Sequence, residues 1–482
     1  MLNSFIWDKG VHFIQRQIGD IDMKTDNIIL NTDSYKTSHF GFMEPNTTKQ
    51  YSYIEARKGG LYDYSVFFGL QYFIKKYLSG RVTRGMIDEA EDFLTKHGLP
   101  FNREGWEYIV DNIGGKLPIR IKAVPEGTLV PEGNVLVTVE NTDEQCAWVT
   151  SYIETALLRG VWYGTTVATR SHMFRKLILK YLEKTGDPDS IDFKFVDFGS
   201  RGASSKESSE IAGAAHLINF MATDNIVGIL TTMDYYNSSE PTGFSIPASE
   251  HTVTIGWGGE EREIEFFSNA IDVYGGEGKM FANVSDSYDF SKALDKWALL
   301  RDKLEGSGST VVIRPDSGDP TEMVMLALNK LEKSFGVEWN DKGYKVLNPA
   351  VRIIQGDGVN YEKVEEILST MEKAKFSADN VSFGCGGFLL QDVNRDTLRF
   401  AMKGSYIEVN GEKRDVNKVT LTDPTKASKA GRVTLIKRNN EIITVREEDM
   451  IDGDEEMLSL AYNDGVIYTD KTFQSVRDLS RG

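Results

Sequence analysis

Seven short polar loops hold the side chains with chemistry to offer, and three of them are built alike. Val311-Val312-Ile313 runs into Arg314-Pro315-Asp316-Ser317-Gly318, Val351 to Gln355 runs into Gly356-Asp357-Gly358, and Val381-Ser382-Phe383 runs into Gly384-Cys385-Gly386-Gly387. Each apolar, strand-like run stops abruptly at glycine and polar residues, and helical periodicity follows. Glycine lets backbone N–H groups approach a phosphate unobstructed, and loops at the carboxyl ends of parallel strands open on a common crevice. The three loops together predict one site for a phosphorylated sugar. Asp286, in Ser285-Asp286-Ser287, and Asp316 are hard oxygen ligands suited to Mg²⁺, which binds one or two carboxylates plus substrate phosphates. An N-cap or turn role is the plainer alternative for each. His251 follows Glu250 in a Pro247-Ala248-Ser249-Glu250-His251 turn. Arg201, Arg314 and Arg395, with Lys403, Lys418, Lys426 and Lys429, are candidate cations for phosphate, a solvated face being the alternative for the lysines.

The remaining histidines carry less. His216 lies in the apolar face from Ala212 to Phe220 and reads as core, and His12, His39, His97 and His172 lack zinc-ligand spacing. The two cysteines, Cys146 and Cys385, are far apart and fit a reducing cytosol better than a disulfide framework. Cys385 reads as a small packed residue rather than a nucleophile, since nothing in the sequence marks a stabilised thiolate. A net charge of -17 and a pI near 5.0 argue against a nucleic-acid partner, whose phosphates demand contiguous Lys/Arg stripes. No run approaches the roughly 18 apolar residues of a membrane span. A soluble, cytoplasmic protein is therefore expected.

These loops need a scaffold. The candidate parallel strands are Phe193 to Val196, Ile226 to Leu230, Phe244 to Ile246, Phe281 to Val284, Val311 to Ile313, Val351 to Ile354, Val381 to Phe383 and Leu398 to Met402. Helical periodicity appears in Ser204 to Phe220, Phe290 to Lys303, Thr321 to Phe335 and Tyr361 to Lys375. About eight strands over some 210 residues suit an irregular (β/α)8-type barrel, with an open doubly wound sheet as the alternative. Elsewhere the pattern changes: Ile28 to Leu30 and Tyr51 to Arg57 read as strands, while Leu117 to Glu140, Val433 to Val445 and Leu458 to Tyr468 alternate about turn residues. The expected organisation is an appended arm over 1–26, a β-rich α+β domain from 27–184 plus 405–482, and an α/β barrel over 185–404. The first 26 residues lack the features of a secretory signal.

Strings along the chain resemble the nicotinamide phosphoribosyltransferase family, within the type II group that also holds the nicotinate and quinolinate enzymes. They include Thr32-Asp33-Ser34-Tyr35-Lys36, Phe68-Gly69-Leu70-Gln71-Tyr72, Asp197-Phe198-Gly199, Glu250-His251, Val284 to Asp289, Ile313 to Gly318 and Ile354 to Gly358. The resemblance implies a homodimer with active sites at the subunit interface, acting on nicotinamide, phosphoribosyl pyrophosphate and ATP. By position, Phe198 of one subunit and Tyr35 of the other would sandwich the pyridine ring, and Asp224 would accept from the carboxamide. Arg314 would lie beside the ring, with Asp316, Gly356 and Asp357 near the ribose and Asp33 among the substrate contacts. Gly386, Gly387, Arg395 and Lys403 would surround the 5-phosphate, and Arg57, Arg201 and Lys418 would meet pyrophosphate. Asp286 and Asp316 would face Mg²⁺, His251 would be the residue that ATP phosphorylates, and Lys426 would contact ATP. Ser200, Ala282, Cys385 and Ala401 depart from the family, which has Tyr at the first and serines at the others. A nicotinate enzyme, or a non-catalytic protein keeping the fold, is the alternative.

Overall fold

The computed structural model describes residues 24–418 and 428–481. The expected arm, apart from a single turn at Lys24–Asp26, and Lys426 lie outside them. The fold is α/β, with two large sheets, three small ones of two or three strands, and two separate hydrophobic cores.

The parallel sheet has six strands in the order Ala222–Thr223, Phe195–Asp197, Val381–Cys385, Val351–Gln355, Thr310–Arg314 and Met280–Val284. Val, Ile and Phe fill these strands because helices such as Pro320–Phe335 and Tyr361–Lys373 pack against them. The sheet curls. Residues 244–249 span its seam: Phe244 N donates to Met221 O at 2.7 Å on one edge, and Ala282 N donates to Pro247 O at 2.8 Å on the other.

Four expected strands differ. Ile226 to Leu230 lies in a helix, Ile226–Tyr235, because the Asn225 side chain caps it by accepting from Gly228 N. Leu398 to Met402 feeds the strand Phe400–Val409, which pairs antiparallel with Thr47–Ala56 outside the barrel sheet. Ile28 to Leu30 is a turn, held by the Asn27 side chain accepting from Ile29 N at 3.0 Å. Phe244 to Ile246 makes only a single parallel bridge, Phe244 to Ala222, because it spans the seam rather than pairing along its length. Ala222–Thr223 is a strand the sequence did not announce, and the parallel sheet therefore holds six strands rather than eight.

The antiparallel sheet is drawn from both ends of the chain, in the order Glu412–Asp415, Phe400–Val409, Thr47–Ala56, Val135–Asn141, Ile119–Ala123, Ser459–Asn463 and Val466–Ile467. Two of the terminal hairpins turn through left-handed residues, Asn439 and Asn440 in one and Asp464 and Gly465 in the other, as two-residue turns require. The helix Glu154–Thr185 packs against elements of both layers. The helix Phe473–Arg481 closes the chain onto the barrel. Its buried Arg477 donates to Leu217 O and Thr242 O, satisfying a carbonyl left open at the end of Lys206–Leu217 and holding the approach to the seam.

Candidate active site

Every strand of the parallel sheet ends, at its carboxyl edge, in one of the loops that the sequence singled out. Adjacent loops are laced together by hydrogen bonds. Phe198 N donates to Cys385 O at 2.9 Å, Asp224 N to Asp197 O at 3.0 Å, and Ser285 N to Arg314 O at 3.0 Å. Phe198, Asp224, Asp286, Asp316, Gly356, Asp357, Gly386 and Gly387 thus share one rim, and His251 joins it from the seam.

Asp197 supports the Phe198 turn from below. Its buried carboxylate accepts from Gly199 N at 2.7 Å and Asn225 Nδ2 at 3.0 Å, and burial pushes its pKa up to about 6. The Phe198 ring lies over Gly384, where an added Cβ would fall 1.9 Å from the ring, and beside Gly356. Asp224 is exposed, and its Oδ1 accepts from Ser245 Oγ at 2.5 Å.

The acidic side of the rim is tightly ordered. The Asp286 side chain is only 3% exposed. Its Oδ2 accepts from Asp316 N at 2.9 Å and Ser317 Oγ at 2.6 Å. His251 opens the helix His251–Ile255 and sits between loops, Nδ1 at 3.0 Å from Ser287 Oγ and Nε2 at 3.3 Å from Asp316 Oδ2 and 3.8 Å from Asp286 Oδ1. Arg314 Nε lies 3.6 Å from Asp316 Oδ1. Asp286 Oδ1 and Arg314 Nε are both buried without a hydrogen-bond partner. A buried orphan of each sign at one rim is costly unless a ligand completes it. Arg201 stands exposed in the Ser200–Gly202 turn, which comes close to Gly387.

The other candidates gather elsewhere, on the antiparallel sheet and at the start of helix Glu154–Thr185. Register sets their common face: Tyr53 pairs with Lys403 and Glu55 with Ala401, and alternation brings Arg57 to the same side. Burial holds the Lys403 ammonium below the usual lysine value; Glu154 opposes this, and Arg57, Lys418 and Arg395 reinforce it. Four cations therefore gather here, with Arg395 also paired to Asp396 at 3.0 Å and Glu154 facing Lys403, an excess of positive charge that suits an anion. Lys36 pairs with Glu154, and its ammonium lies 5.4 Å from the centre of the Tyr35 ring. Asp33 accepts from Thr155 Oγ1 at 2.6 Å. Tyr35 is 58% exposed and meets His39 edge-on, so the Phe198–Tyr35 sandwich is not made within one chain.

A family model for the nicotinate phosphoribosyltransferase (NAPRTase) family matches residues 193–472, and one for the N-terminal domain of nicotinamide phosphoribosyltransferase matches 27–121. The chain is 48% identical over 416 residues to a nicotinamide phosphoribosyltransferase of Xanthomonas campestris pv. campestris, covering 86% of this chain and 88% of that one. The chain belongs to the nicotinamide/nicotinate phosphoribosyltransferase family. A second relative, a nicotinamide phosphoribosyltransferase of Acinetobacter baylyi, is 31% identical and covers 86% of this chain and 88% of that one. Among solved structures, the fold is shared with a nicotinate-nucleotide pyrophosphorylase from Pyrococcus furiosus (TM-score 0.63, 14% identity, 97% of each chain). It is shared too with human nicotinic acid phosphoribosyltransferase (TM-score 0.56, 16% identity, 93% of this chain and 92% of that one). As a phosphoribosyltransferase of this family the chain is an enzyme of the pentosyltransferase class, acting in NAD biosynthesis.

Two of the residues expected to depart from the family have clear local settings. Burial pushes the Cys385 thiol up to about 12, so it is a neutral packed group, with Sγ 3.4 Å from Val359 O. Ser200 Oγ lies 2.8 Å from Ser209 Oγ. His216 is buried, bonded to Ser171 and Ala222 O and pushed down to about 4, a core residue as its setting suggested. Ser245 and Glu154, which touch or face the candidate residues, carry no motif and are visible only in three dimensions. Among the described residues no helix is long and apolar enough to cross a membrane.

Proposed function

We propose that this chain transfers the phosphoribosyl group of 5-phosphoribosyl 1-pyrophosphate to nicotinamide, forming nicotinamide mononucleotide and pyrophosphate in the cytoplasm, in the salvage branch of NAD biosynthesis. The observation that carries the choice of nicotinamide is the exposed Asp224 carboxylate on the loop next to the Phe198 ring. A carboxylate accepts from an amide N–H and repels the carboxylate of nicotinate.

The pyridine nitrogen attacks the anomeric carbon as the C–O bond to pyrophosphate breaks, through an oxocarbenium-like state. The chain's task is to orient the two reactants and disperse the departing charge. Phe198 seats the ring, which becomes cationic as the bond forms, adding a cation–π term of roughly 0.5–2 kcal/mol that the neutral ring lacks. Arg314 lies beside the ring, Asp316, Gly356 and Asp357 take the ribose, and Gly386 and Gly387 the 5-phosphate.

Asp286 Oδ1, a buried carboxylate oxygen without a partner, fits a hard cation. Among the described residues no three His, Cys, Asp or Glu side chains converge as a metal site, so water and substrate oxygens would complete the shell. Asp286 and Asp316 would hold Mg²⁺, whose charge assists the departure of pyrophosphate. The half-site on the antiparallel sheet supports a homodimer: Tyr35 and Asp33, with Arg57, Arg395, Lys403 and Lys418, would complete the rim of a second copy. Arg201 would meet pyrophosphate beside them.

ATP, contacted by Lys426, would phosphorylate His251, whose ring is steadied by Ser287 and faces Asp286 and Asp316. Turnover of nicotinamide and nicotinate, side by side with and without ATP, tests the whole reading. Nicotinamide is expected to win, and preference for nicotinate would reverse the assignment of Asp224. In the same assay His251→Ala is expected to abolish stimulation by ATP while basal synthesis persists. Stimulation that survives the substitution removes the phosphohistidine.

A further inference from the structure

The cation face of the antiparallel sheet contains one buried acid, Glu55, which no part of the proposed reaction uses. Glu55 is 4% exposed and stands between Tyr53, on the strand Thr47–Ala56, and Arg57 just beyond its end, directly opposite Ala401 on the next strand. An acid there opposes phosphate binding unless it is neutralised. Lys429 neutralises it: its ammonium pairs with Glu55, donates to Gly133 O at 2.8 Å and lies 5.4 Å from the centre of the Tyr53 ring. The Lys429 backbone N–H donates to Tyr53 Oη at 2.8 Å. One residue earlier, Ser428 closes a pair of bonds with Lys418, whose N–H donates to Ser428 Oγ at 2.7 Å while Ser428 N–H donates to Lys418 O at 3.1 Å.

We infer that Glu55 and Lys429 form a clamp that positions Lys418 over the cation face, so that Glu55 is a positioning residue for binding of the phosphoribosyl pyrophosphate phosphates. The inference rests on the reading of Arg57, Lys403 and Lys418 as the phosphate half-site. The chain from Glu55 to Lys418 is continuous: an ion pair with the buried Glu55 fixes Lys429, its backbone is tied to Tyr53, and the neighbouring Ser428 holds Lys418 by two hydrogen bonds. Burial of Glu55 raises the strength of the first link, because its carboxylate is largely shielded from solvent and would be unfavourable there without a cation. Lys429 also differs in kind from Lys418. It is committed to Glu55, whereas Lys418 lies near enough to Lys403 to add to the positive charge that an anion would meet there.

The test is steady-state kinetics of the full-length enzyme with each substrate varied in turn. Glu55→Gln is expected to raise KM for phosphoribosyl pyrophosphate about tenfold, while KM for nicotinamide stays within about twofold. Lys429→Met should reproduce that split, and the double variant should be no worse than either single one, since both break the same link. Lys403→Met serves as the reference for the phosphate half-site itself. If it raises KM for phosphoribosyl pyrophosphate and a folded Glu55→Gln does not, the clamp is overturned and the half-site stands. If Lys403→Met leaves that KM unchanged, the half-site falls and the clamp with it. An equal rise in both KM values for Glu55→Gln, with a lowered Tm, would mark a merely structural residue and also overturn the inference. Lys429→Met keeps the question open to measurement should Glu55→Gln fail to fold.

Discussion

Replacing Gly384 by alanine is expected to lower kcat/KM for nicotinamide about a hundredfold with a fall of only a few degrees in Tm, because a misplaced reactant costs orders of magnitude while one overpacked methyl group costs about 1–3 kcal/mol. Gly384 lies in the strand Val381–Cys385, whose extended backbone any residue adopts, so alanine brings no backbone strain. What it brings is a Cβ only 1.9 Å from Phe198 Cε2 and 2.3 Å from Cδ2. The ring cannot stay. Nor can it move freely as a unit, since Gly356 lies close beside the ring and the Phe198 backbone is bonded to Cys385 O. The ring must rotate toward the crevice, where nicotinamide is proposed to stack. Phe198→Ala should lose a similar factor by removing the seat, and the double variant should lose no more, because the alanine at 384 then has nothing to displace. Wild-type kinetics in Gly384→Ala would mean that the Phe198 ring is not the seat.

Much of this rim was legible before any coordinates. Thr310–Arg314, Val351–Gln355 and Val381–Cys385 are short apolar runs that end at glycine or acid, and local signals of that kind survive in sequence. Ile226 to Leu230 failed for the same reason that those succeeded: a short apolar run reads alike in a strand and in a helix, and the Asn225 cap was the only local sign of the second. Ile226 and Leu230, four residues apart, are 69% and 48% exposed, a helical face rather than a buried strand. Leu398 to Met402 is a strand as expected, but periodicity does not say which sheet receives it. That choice decides the site. Only the antiparallel pairing of Phe400–Val409 with Thr47–Ala56 brings Lys403, Ala401, Glu55 and Arg57 to one face, across more than three hundred residues of sequence. Ser245, Ser287 and the Phe198 slot are likewise products of tertiary contact. Residue types announce which chemistry is on offer, and register determines which pieces meet.

Asp224→Asn is expected to reduce the preference for nicotinamide over nicotinate about a hundredfold, the size of effect that removing a like-charge contact from a partly desolvated pocket delivers. The direction follows from the two atoms of the group. Asp224 Oδ1 accepts from Ser245 Oγ at 2.5 Å, which fixes the carboxylate and leaves Oδ2 to the substrate. An asparagine in that place keeps one carbonyl oxygen and adds an N–H donor. Because its amide can rotate, it can still accept from nicotinamide, so the loss on that substrate should be modest, roughly the difference between a charge-assisted and a neutral hydrogen bond. With nicotinate the change is larger and opposite in sign: a repulsive contact between two carboxylates becomes an N–H donating to one. The selectivity shift should therefore appear chiefly as a rise in kcat/KM for nicotinate rather than a collapse for nicotinamide. Measuring kcat/KM for both substrates separates these outcomes. A collapse for nicotinamide with no gain for nicotinate would mean that Asp224 serves the architecture of the rim, and an unchanged ratio would mean that discrimination arises at another residue.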